Sequence, residues 1–249
     1  MIKRIAVNNY KMFKDFEVCF GEGVNLICGP NGSGKSALCE LMYNLGNFIA
    51  IPDINGGVAY SLAESFPQSS LCRWAIADVG HEDMIISICL KSDVSEYEYS
   101  LATRYNLRDG KARVQNEFLK NTSELIYSFD EGRVTMQTDE KKELSFNGDW
   151  SVSGLPMASR NNSKIRDFGK LMSKIYSVHF DPKLVAKDFI NASSIMGLNG
   201  EHFSAWHFNN SLNQIEKQAV VMEQCKSFIP GLLHLTVQNP AMYTDTLQE

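Results

Sequence analysis

Apolar and polar residues alternate in two short stretches at the start of the chain. Ile5 and Val7 alternate with polar or small neighbours, and Phe16, Val18 and Phe20 repeat the alternation after a polar stretch. Successive side chains of a strand point to opposite faces of its sheet, so a period of two predicts a strand with one buried face. The chain therefore begins with two predicted strands.

A third apolar stretch and a helical pattern follow. Val24, Leu26 and Ile27 form a short apolar run, which predicts a buried parallel strand. Beyond it, apolar residues recur at helical spacing, which predicts a helix with one apolar face. These residues are Leu38, Leu41, Met42 and Leu45. Residues 28–34 therefore connect a predicted strand to a predicted helix.

Between residues 71 and 146 the chain consists of short segments rich in β-branched and aromatic residues. Three examples are residues 85–90, 97–101 and 114–119. Turns that end in Gly110 and Gly132 separate some of these segments. Short strands at this spacing predict an antiparallel meander, and they argue against strands that alternate with helices.

The remainder of the chain has mainly helical patterns. Residues 149–162 are polar and predict a loop, after which Ser163 is expected to cap a helix whose apolar positions include Ile165, Phe168 and Met172. A longer helix is predicted from Phe208, Leu212, Ile215, Ala219 and Met222. We favour packing of this helix on its own domain over packing against a partner helix. A last strand is predicted from Leu233, Leu235 and Val237.

The connection between the predicted strand and helix has the spacing of a phosphate-binding loop. Gly29 is followed by four residues and then by Gly34, Lys35 and Ser36. In this spacing backbone N–H groups surround an anion, and glycine allows positive φ and close approach. We expect Lys35 to contact the β- and γ-phosphates of ATP as the catalytic residue, and Ser36 to ligate Mg²⁺. The predicted ATP-binding residues here are Gly29, Asn31, Gly32, Ser33, Gly34, Lys35, Ser36 and Ala37.

The loop Gly-Pro-Asn-Gly-Ser-Gly-Lys-Ser, preceded by the residues from Ile5 to Lys14, resembles the ABC-class ATPases of the SMC and RecF type. Within that class it is most similar to bacterial AAA-named ATPases that include RecF-like and overcoming-lysogenization-defect (OLD) proteins. The resemblance covers residues 2–45. It implies an α/β fold, the N-terminal portion of a P-loop NTPase head of ABC type with an antiparallel β lobe and a helical segment. It also implies that Lys11 lies against the bound nucleotide, although a solvated turn lysine is an equal alternative.

The predicted organisation has three parts. Residues 1–70 are the ATPase core with the P-loop, residues 71–148 the antiparallel β lobe, and residues 149–249 a helical segment with a final strand. In this class hydrolysis needs an apolar strand ending in Asp-Glu and a Ser-Gly-containing signature. The apolar run at residues 84–90 ends in Lys91-Ser92-Asp93 instead, and no Leu-Ser-Gly-Gly-like run occurs in the printed sequence. We therefore expect an ATPase in the complete molecule, a missing C-terminal half, and no activity of this chain alone.

The resemblance also implies what such a head does. We expect ATP-driven formation of a homodimer or higher oligomer through the heads. The setting would be bacterial antiphage defence or DNA repair, with a nuclease or effector and with DNA as candidate partners. The alternatives are a nucleotide-binding scaffold without catalysis and a P-loop small-molecule kinase. A kinase needs an Arg-rich lid, and no basic cluster in the sequence resembles one.

Composition limits the partners and the compartment. The net charge is −5 and the pI is about 5.6, so any contact with DNA must come from a local patch. The six cysteines lack paired short spacing, which predicts buried thiols in a reducing cytosol. No apolar run approaches the ~20 residues of a membrane span, so we expect a cytoplasmic protein without a membrane partner.

Overall fold

The computed structural model of the chain describes residues 1–51, 60–72, 81–177, 179, 181–185, 197–213 and 215–228. It divides into two compact units, residues 1–177 and residues 178–249. The first unit contains the sheet and the helices α1 (Lys35–Phe48), α2 (Leu62–Ser65), α3 (Leu155–Ala158) and α4 (Ser163–Met172), with short 3₁₀ helices at Gln68–Ser70 and Ser159–Asn161. The described part of the second unit contains α5 (Pro182–Val185), α6 (Phe203–Asn213) and α7 (Ile215–Phe228).

The first unit is built on one antiparallel sheet of eight strands in the order β2-β1-β3-β4-β5-β6-β7-β8. The strands are β1 (Ile2–Asn8), β2 (Phe16–Cys19), β3 (His81–Lys91), β4 (Glu96–Asn106), β5 (Ala112–Asn121), β6 (Glu124–Asp130), β7 (Arg133–Gln137) and β8 (Glu143–Asn147). From β3 onward each strand pairs with the next one in sequence, which confirms the predicted meander. The sheet crosses the predicted boundary at residue 70, because β1 pairs with β3. The three-part domain division itself remains a prediction.

The core lies on one face of this sheet. The predicted apolar face of α1 is confirmed, because Leu41 and Leu45 are fully buried and belong to the same cluster as Ile5 of β1. Helix α4 contributes Ile165 and Phe168 to that cluster. These helices hold the loop and the sheet together through apolar side chains, which is the main stabilising term in a domain of this size.

The N-terminal cap of α4 is Asn162 and not the predicted Ser163. Asn162 has extended backbone angles, and its side chain accepts a hydrogen bond from the Ile165 N–H at 3.1 Å. Ser163 is the first helical residue, and its hydroxyl donates to Asp139 at 2.7 Å. Asparagine and serine are equally good caps, so only the backbone conformation distinguishes the two positions.

The predicted strand at Val24, Leu26 and Ile27 is wrong. These residues form no ladder, and Val24 and Leu26 are 99% and 85% exposed. A strand needs a neighbour to pair with its backbone, and in the described residues no strand lies beside this run. The prediction of buried cysteines also fails in part, because Cys19 and Cys28 are exposed although Cys72 is buried.

A carboxylate is buried inside the first unit. Glu117 of β5 has no solvent exposure, and it accepts hydrogen bonds from the hydroxyls of Tyr99 and Tyr127 at 2.9 and 2.6 Å. It also accepts from the Ser153 hydroxyl at 2.6 Å and from the Gly154 N–H at 3.2 Å. Burial raises the pKa of Glu117, and the hydrogen bonds oppose that rise. The cluster ties two strands and the segment before α3 to β5.

The second unit is helical where it is described. Helices α6 and α7 cover the stretch for which the spacing predicts a longer helix, which confirms its helical character. Gln214, between these helices, lies outside the described residues. The predicted last strand at Leu233, Leu235 and Val237 lies outside them as well. No helix in the described residues is long and apolar enough to cross a membrane.

Candidate nucleotide-binding site

Two glycines give the loop before α1 its conformation. Gly32 and Gly34 have φ values of 82° and 98°, in the left-handed region that favours glycine. A Cβ atom at Gly34 would lie 2.7 Å from the Met12 sulfur and 2.8 Å from the Phe13 ring. Position 34 therefore requires glycine both for its backbone angle and for its contact with the turn after β1.

Helix α1 begins directly after Gly34. The first intrahelical bond joins the Leu38 N–H to the Gly34 carbonyl at 2.9 Å. Within the described residues no side chain caps this end, and the first turn carries no acidic residue. The N–H groups of Lys35, Ser36 and Ala37 therefore point out of the helix start together with the positive end of its dipole. This is the arrangement in which helices bind anions.

The Lys35 side chain folds back over the loop. Its ammonium donates to the carbonyls of Gly29 and Pro30, both at 2.8 Å, and lies 3.4 Å from the Ser33 hydroxyl. The loop adds one bond of its own, from the Ser33 N–H to the Pro30 carbonyl at 3.3 Å. Phosphate oxygens are better partners for an ammonium than neutral carbonyls, so an arriving triphosphate can replace these contacts.

The turn after β1 lies against the same helix. Tyr10 and Phe13 bond each other through their backbones, and the Lys11 N–H donates to the Ser70 carbonyl at 2.7 Å. Lys11 has a φ of 50°, which is uncommon for a residue other than glycine. Its ammonium pairs with the Glu40 carboxylate of α1. Met12 and Phe13 of this turn approach Gly34, and Lys11 is the residue directly before Met12.

The predicted site residues differ in exposure: Gly34 is buried, and Lys35 and Ala37 are half-buried. Asn31, Gly32 and Ser33 are exposed on the loop, and Ser36 is exposed on the first turn of α1. Of the described residues, no group of three or more His, Cys, Asp and Glu side chains is placed to hold a metal. Mg²⁺ usually keeps several waters and binds phosphate oxygens with few protein ligands, so a single hydroxyl at Ser36 fits this cation.

Sequence reasoning missed Glu40. It occupies the position four residues after Ser36 on the predicted helix, which places the two on one face. An acidic residue one turn after the proposed magnesium ligand was the available signal. Its pairing with Lys11 depends on the turn at residues 9–14, which the sequence does not position.

Comparison with known proteins places the chain in a family. The model of the AAA ATPase domain family matches residues 1–149. The chain belongs to the AAA ATPase domain family. The matched part of this AAA ATPase domain contains the loop, α1 and the eight-stranded sheet.

Two relatives each match a short stretch of this chain. The DNA double-strand break repair Rad50 ATPase of Nanoarchaeum equitans is 44% identical over 43 residues, 17% of this chain and 6% of the relative. The DNA replication and repair protein RecF of Syntrophotalea carbinolica is 40% identical over 48 residues, 19% of this chain and 13% of the relative. The matches thus span only a small part of each relative. The predicted resemblance to SMC- and RecF-type ATPases is confirmed.

A solved structure is also similar to part of the AAA ATPase domain. It comes from work on ATP-driven dimerization and DNA stimulated activation of SMC ATPases. The TM-score is 0.27 at 16% identity, and the similarity covers 50% of this chain and 70% of that chain.

Proposed function

We propose that this chain binds ATP and Mg²⁺ through residues 29–37 and forms the nucleotide-binding part of an ABC-type ATPase head. The observation that carries the proposal is the geometry at Gly34. A left-handed glycine precedes a 14-residue helix with no side-chain cap, and the Lys35 ammonium lies across the loop. A loop of this kind offers an anion several N–H donors and one mobile positive charge.

Each residue of the loop has a role in this proposal. The N–H groups of Gly32 to Ala37 bind the phosphate oxygens, and Lys35 leaves the Gly29 and Pro30 carbonyls to contact the β- and γ-phosphates. Ser36 supplies a hydroxyl oxygen for Mg²⁺. The bound cation neutralises charge on the phosphates. Lys11, which the resemblance assigns to the nucleotide, approaches from the turn that packs on Gly34.

Hydrolysis in this proposal needs groups from elsewhere. Asp130 and Glu131 follow the apolar stretch of β6, but they lie at its hairpin turn to the antiparallel strand β7. No Leu-Ser-Gly-Gly-like run occurs in the printed sequence. We infer that the complete ATPase obtains its acidic pair and its signature from a further polypeptide segment. The exposed run at Val24, Leu26 and Ile27 supports this, because it offers apolar side chains and unpaired backbone to a neighbouring strand. ATP held between two such heads would drive their dimerisation.

The biological setting is proposed from the relatives and the resemblance. One relative is a DNA double-strand break repair ATPase, and the other is a DNA replication and repair protein. We therefore propose DNA repair or, by the likeness to OLD proteins, bacterial antiphage defence, in the cytoplasm. DNA and a nuclease or effector are the proposed partners.

A nucleotide-binding scaffold without turnover is the second candidate. The absence of a Leu-Ser-Gly-Gly-like run from the printed sequence favours it for this chain taken by itself. Both candidates require ATP at the loop, so they share the first test and separate only when phosphate release is measured.

The first test is calorimetric titration of the chain with ATP and Mg²⁺. Lys35→Ala is expected to reduce the affinity by at least about 100-fold, because a charge-assisted contact to two phosphates is lost. Lys142→Ala is the matched control, since the Lys142 side chain is 73% exposed in the β7–β8 turn. Equal affinities of the Lys35 variant and the wild type would remove the proposed function.

A further inference from the structure

The Lys11 side chain is paired and not free. Its ammonium contacts Glu40, and the two side chains are 32% and 33% exposed. Glu40 lies on α1 four residues after Ser36, so its carboxylate is one helical turn from the proposed magnesium ligand. The ammonium is therefore held beside the second turn of the helix, below the N-terminus at which phosphates would bind.

The backbone that carries Lys11 is fixed by several bonds. The Lys11 N–H donates to the Ser70 carbonyl, and Asn9 donates to the Asp83 carbonyl at 2.9 Å and accepts from the Cys72 N–H at 3.1 Å. Residue 11 keeps its left-handed angle within this framework. The turn that carries Lys11 is therefore held in place, and the four-carbon side chain of Lys11 is the part that can move.

Two partners compete for one ammonium. The Glu40 carboxylate holds it in this structure. A bound triphosphate would bring more negative charge within about one helical turn of the same place. Movement of the ammonium from Glu40 to a phosphate exchanges one charge-assisted bond for another. The cost of leaving Glu40 is small, because both side chains are partly exposed to water.

We propose, building on the proposed nucleotide site, that Lys11 exchanges the Glu40 carboxylate for a phosphate of ATP, and that Glu40 thereby lowers ATP affinity. Glu40 is a positioning residue in this scheme, since it acts on the nucleotide through Lys11. It keeps the ammonium close to the loop and releases it to a sufficiently charged ligand. The scheme gives the site a preference for triphosphate over less charged nucleotides.

The test is a double-mutant cycle on ATP affinity, measured by calorimetry with the whole chain. Glu40→Gln is expected to tighten binding by about two- to fivefold, the range for one partly exposed ion pair. Lys11→Met is expected to weaken binding, and Glu40→Gln in the Lys11→Met background is expected to change affinity by less than about 1.5-fold.

The matched control is an ion pair of similar exposure away from the loop. Lys164 and Glu124 are 3.0 Å apart and 47% and 46% exposed, so Glu124→Gln is expected to leave ATP affinity unchanged. If Glu40→Gln changes ATP affinity equally with and without Lys11, Glu40 acts only through its charge. That result would overturn the proposed exchange of Lys11 between Glu40 and phosphate. Weaker binding by Glu40→Gln alone would overturn it as well.

Lys35→Ala separates this inference from the function on which it rests. If wild-type binding depends on Lys35 but Lys11 and Glu40 are not coupled, the exchange is wrong and the nucleotide site stands. If ATP affinity does not depend on Lys35, the nucleotide site and the exchange are both wrong.

Discussion

Gly34 combines two constraints at one residue. Its φ of 98° places it where side chains are strained, and Met12 and Phe13 occupy the space that a Cβ would need. The same residue ends the loop and precedes the first helical N–H groups. A single methyl group at this position therefore tests local conformation, packing and ligand binding together.

We expect Gly34→Ala to weaken ATP binding by at least about tenfold and to destabilise the chain by about 1–3 kcal/mol. The reason is that the added methyl must displace the Phe13 ring or tilt the start of α1 away from its present direction. Calorimetry with ATP and Mg²⁺ measures the first effect. Urea denaturation followed by circular dichroism measures the second.

Gly46 supplies the matched control on the same helix. It lies inside α1, and a Cβ there would meet nothing within 4 Å. Gly46→Ala is expected to stabilise the chain by about 0.5–1 kcal/mol and to leave ATP affinity unchanged, because alanine has the higher helix propensity. Similar losses for both variants would contradict the assignment of Gly34 to the loop.

At this scale the sequence predicts residues whose chemistry is local. The spacing of Gly29, Gly34 and Lys35 identifies the loop, because the constraint acts within eight neighbouring residues. Glu40 and Glu117 escape the same reasoning. Each needs partners that are distant in sequence, so nothing in the neighbouring residues distinguishes a buried or paired carboxylate from a solvated one.

Among the elements, α1 and the meander can be predicted from the periodicity of their apolar residues. The strand prediction for Val24 to Ile27 is wrong because periodicity says nothing about pairing partners. Periodicity reports which face of an element is apolar, and Leu41 and Leu45 confirm that face. It does not report whether a neighbouring strand exists. The run has the composition of a strand, but its backbone finds no ladder partner among the described residues.

The Glu117 cluster is a buried polar connection among the elements of the first unit. Burial raises the pKa values of Tyr99 and Tyr127, so both phenols stay protonated and donate to the carboxylate. We expect Glu117→Ala to lower the free energy of unfolding by at least about 3 kcal/mol, because three buried hydroxyls and the half-buried Gly154 N–H lose their acceptor. Urea denaturation of the whole chain measures this change in the free energy of unfolding.

Glu98 is the control for that experiment. It belongs to β4 and pairs with Lys120 at 3.3 Å, with 38% of its side chain exposed. Glu98→Ala is expected to cost less than about 1 kcal/mol, since exposed ion pairs contribute little. If the two variants were equally stable, the buried cluster would have no special part in joining the sheet to the segment before α3.

For the whole molecule, ATP binding and ATP turnover are expected to separate. The proposed loop lies within the 249 residues, whereas the printed sequence has no Leu-Ser-Gly-Gly-like run and its Asp130-Glu131 pair lies at the β6–β7 turn. Phosphate release by this chain with ATP and Mg²⁺ is therefore expected to equal that of Lys35→Ala. A robust Mg²⁺-dependent rate that disappears in the variant would mean that another carboxylate orients the water.

The position of β1 between β2 and β3 also affects how the protein is made. Strand β1 ends at Asn8, and its neighbour β3 begins about 70 residues later. A ribosome that adds 5–20 residues per second needs roughly 4 to 15 s to deliver β3. During that interval residues 29–37, the proposed nucleotide loop, have already emerged without the strand that anchors Asn9. The nascent chain therefore acquires the proposed loop before it acquires the support for Lys11.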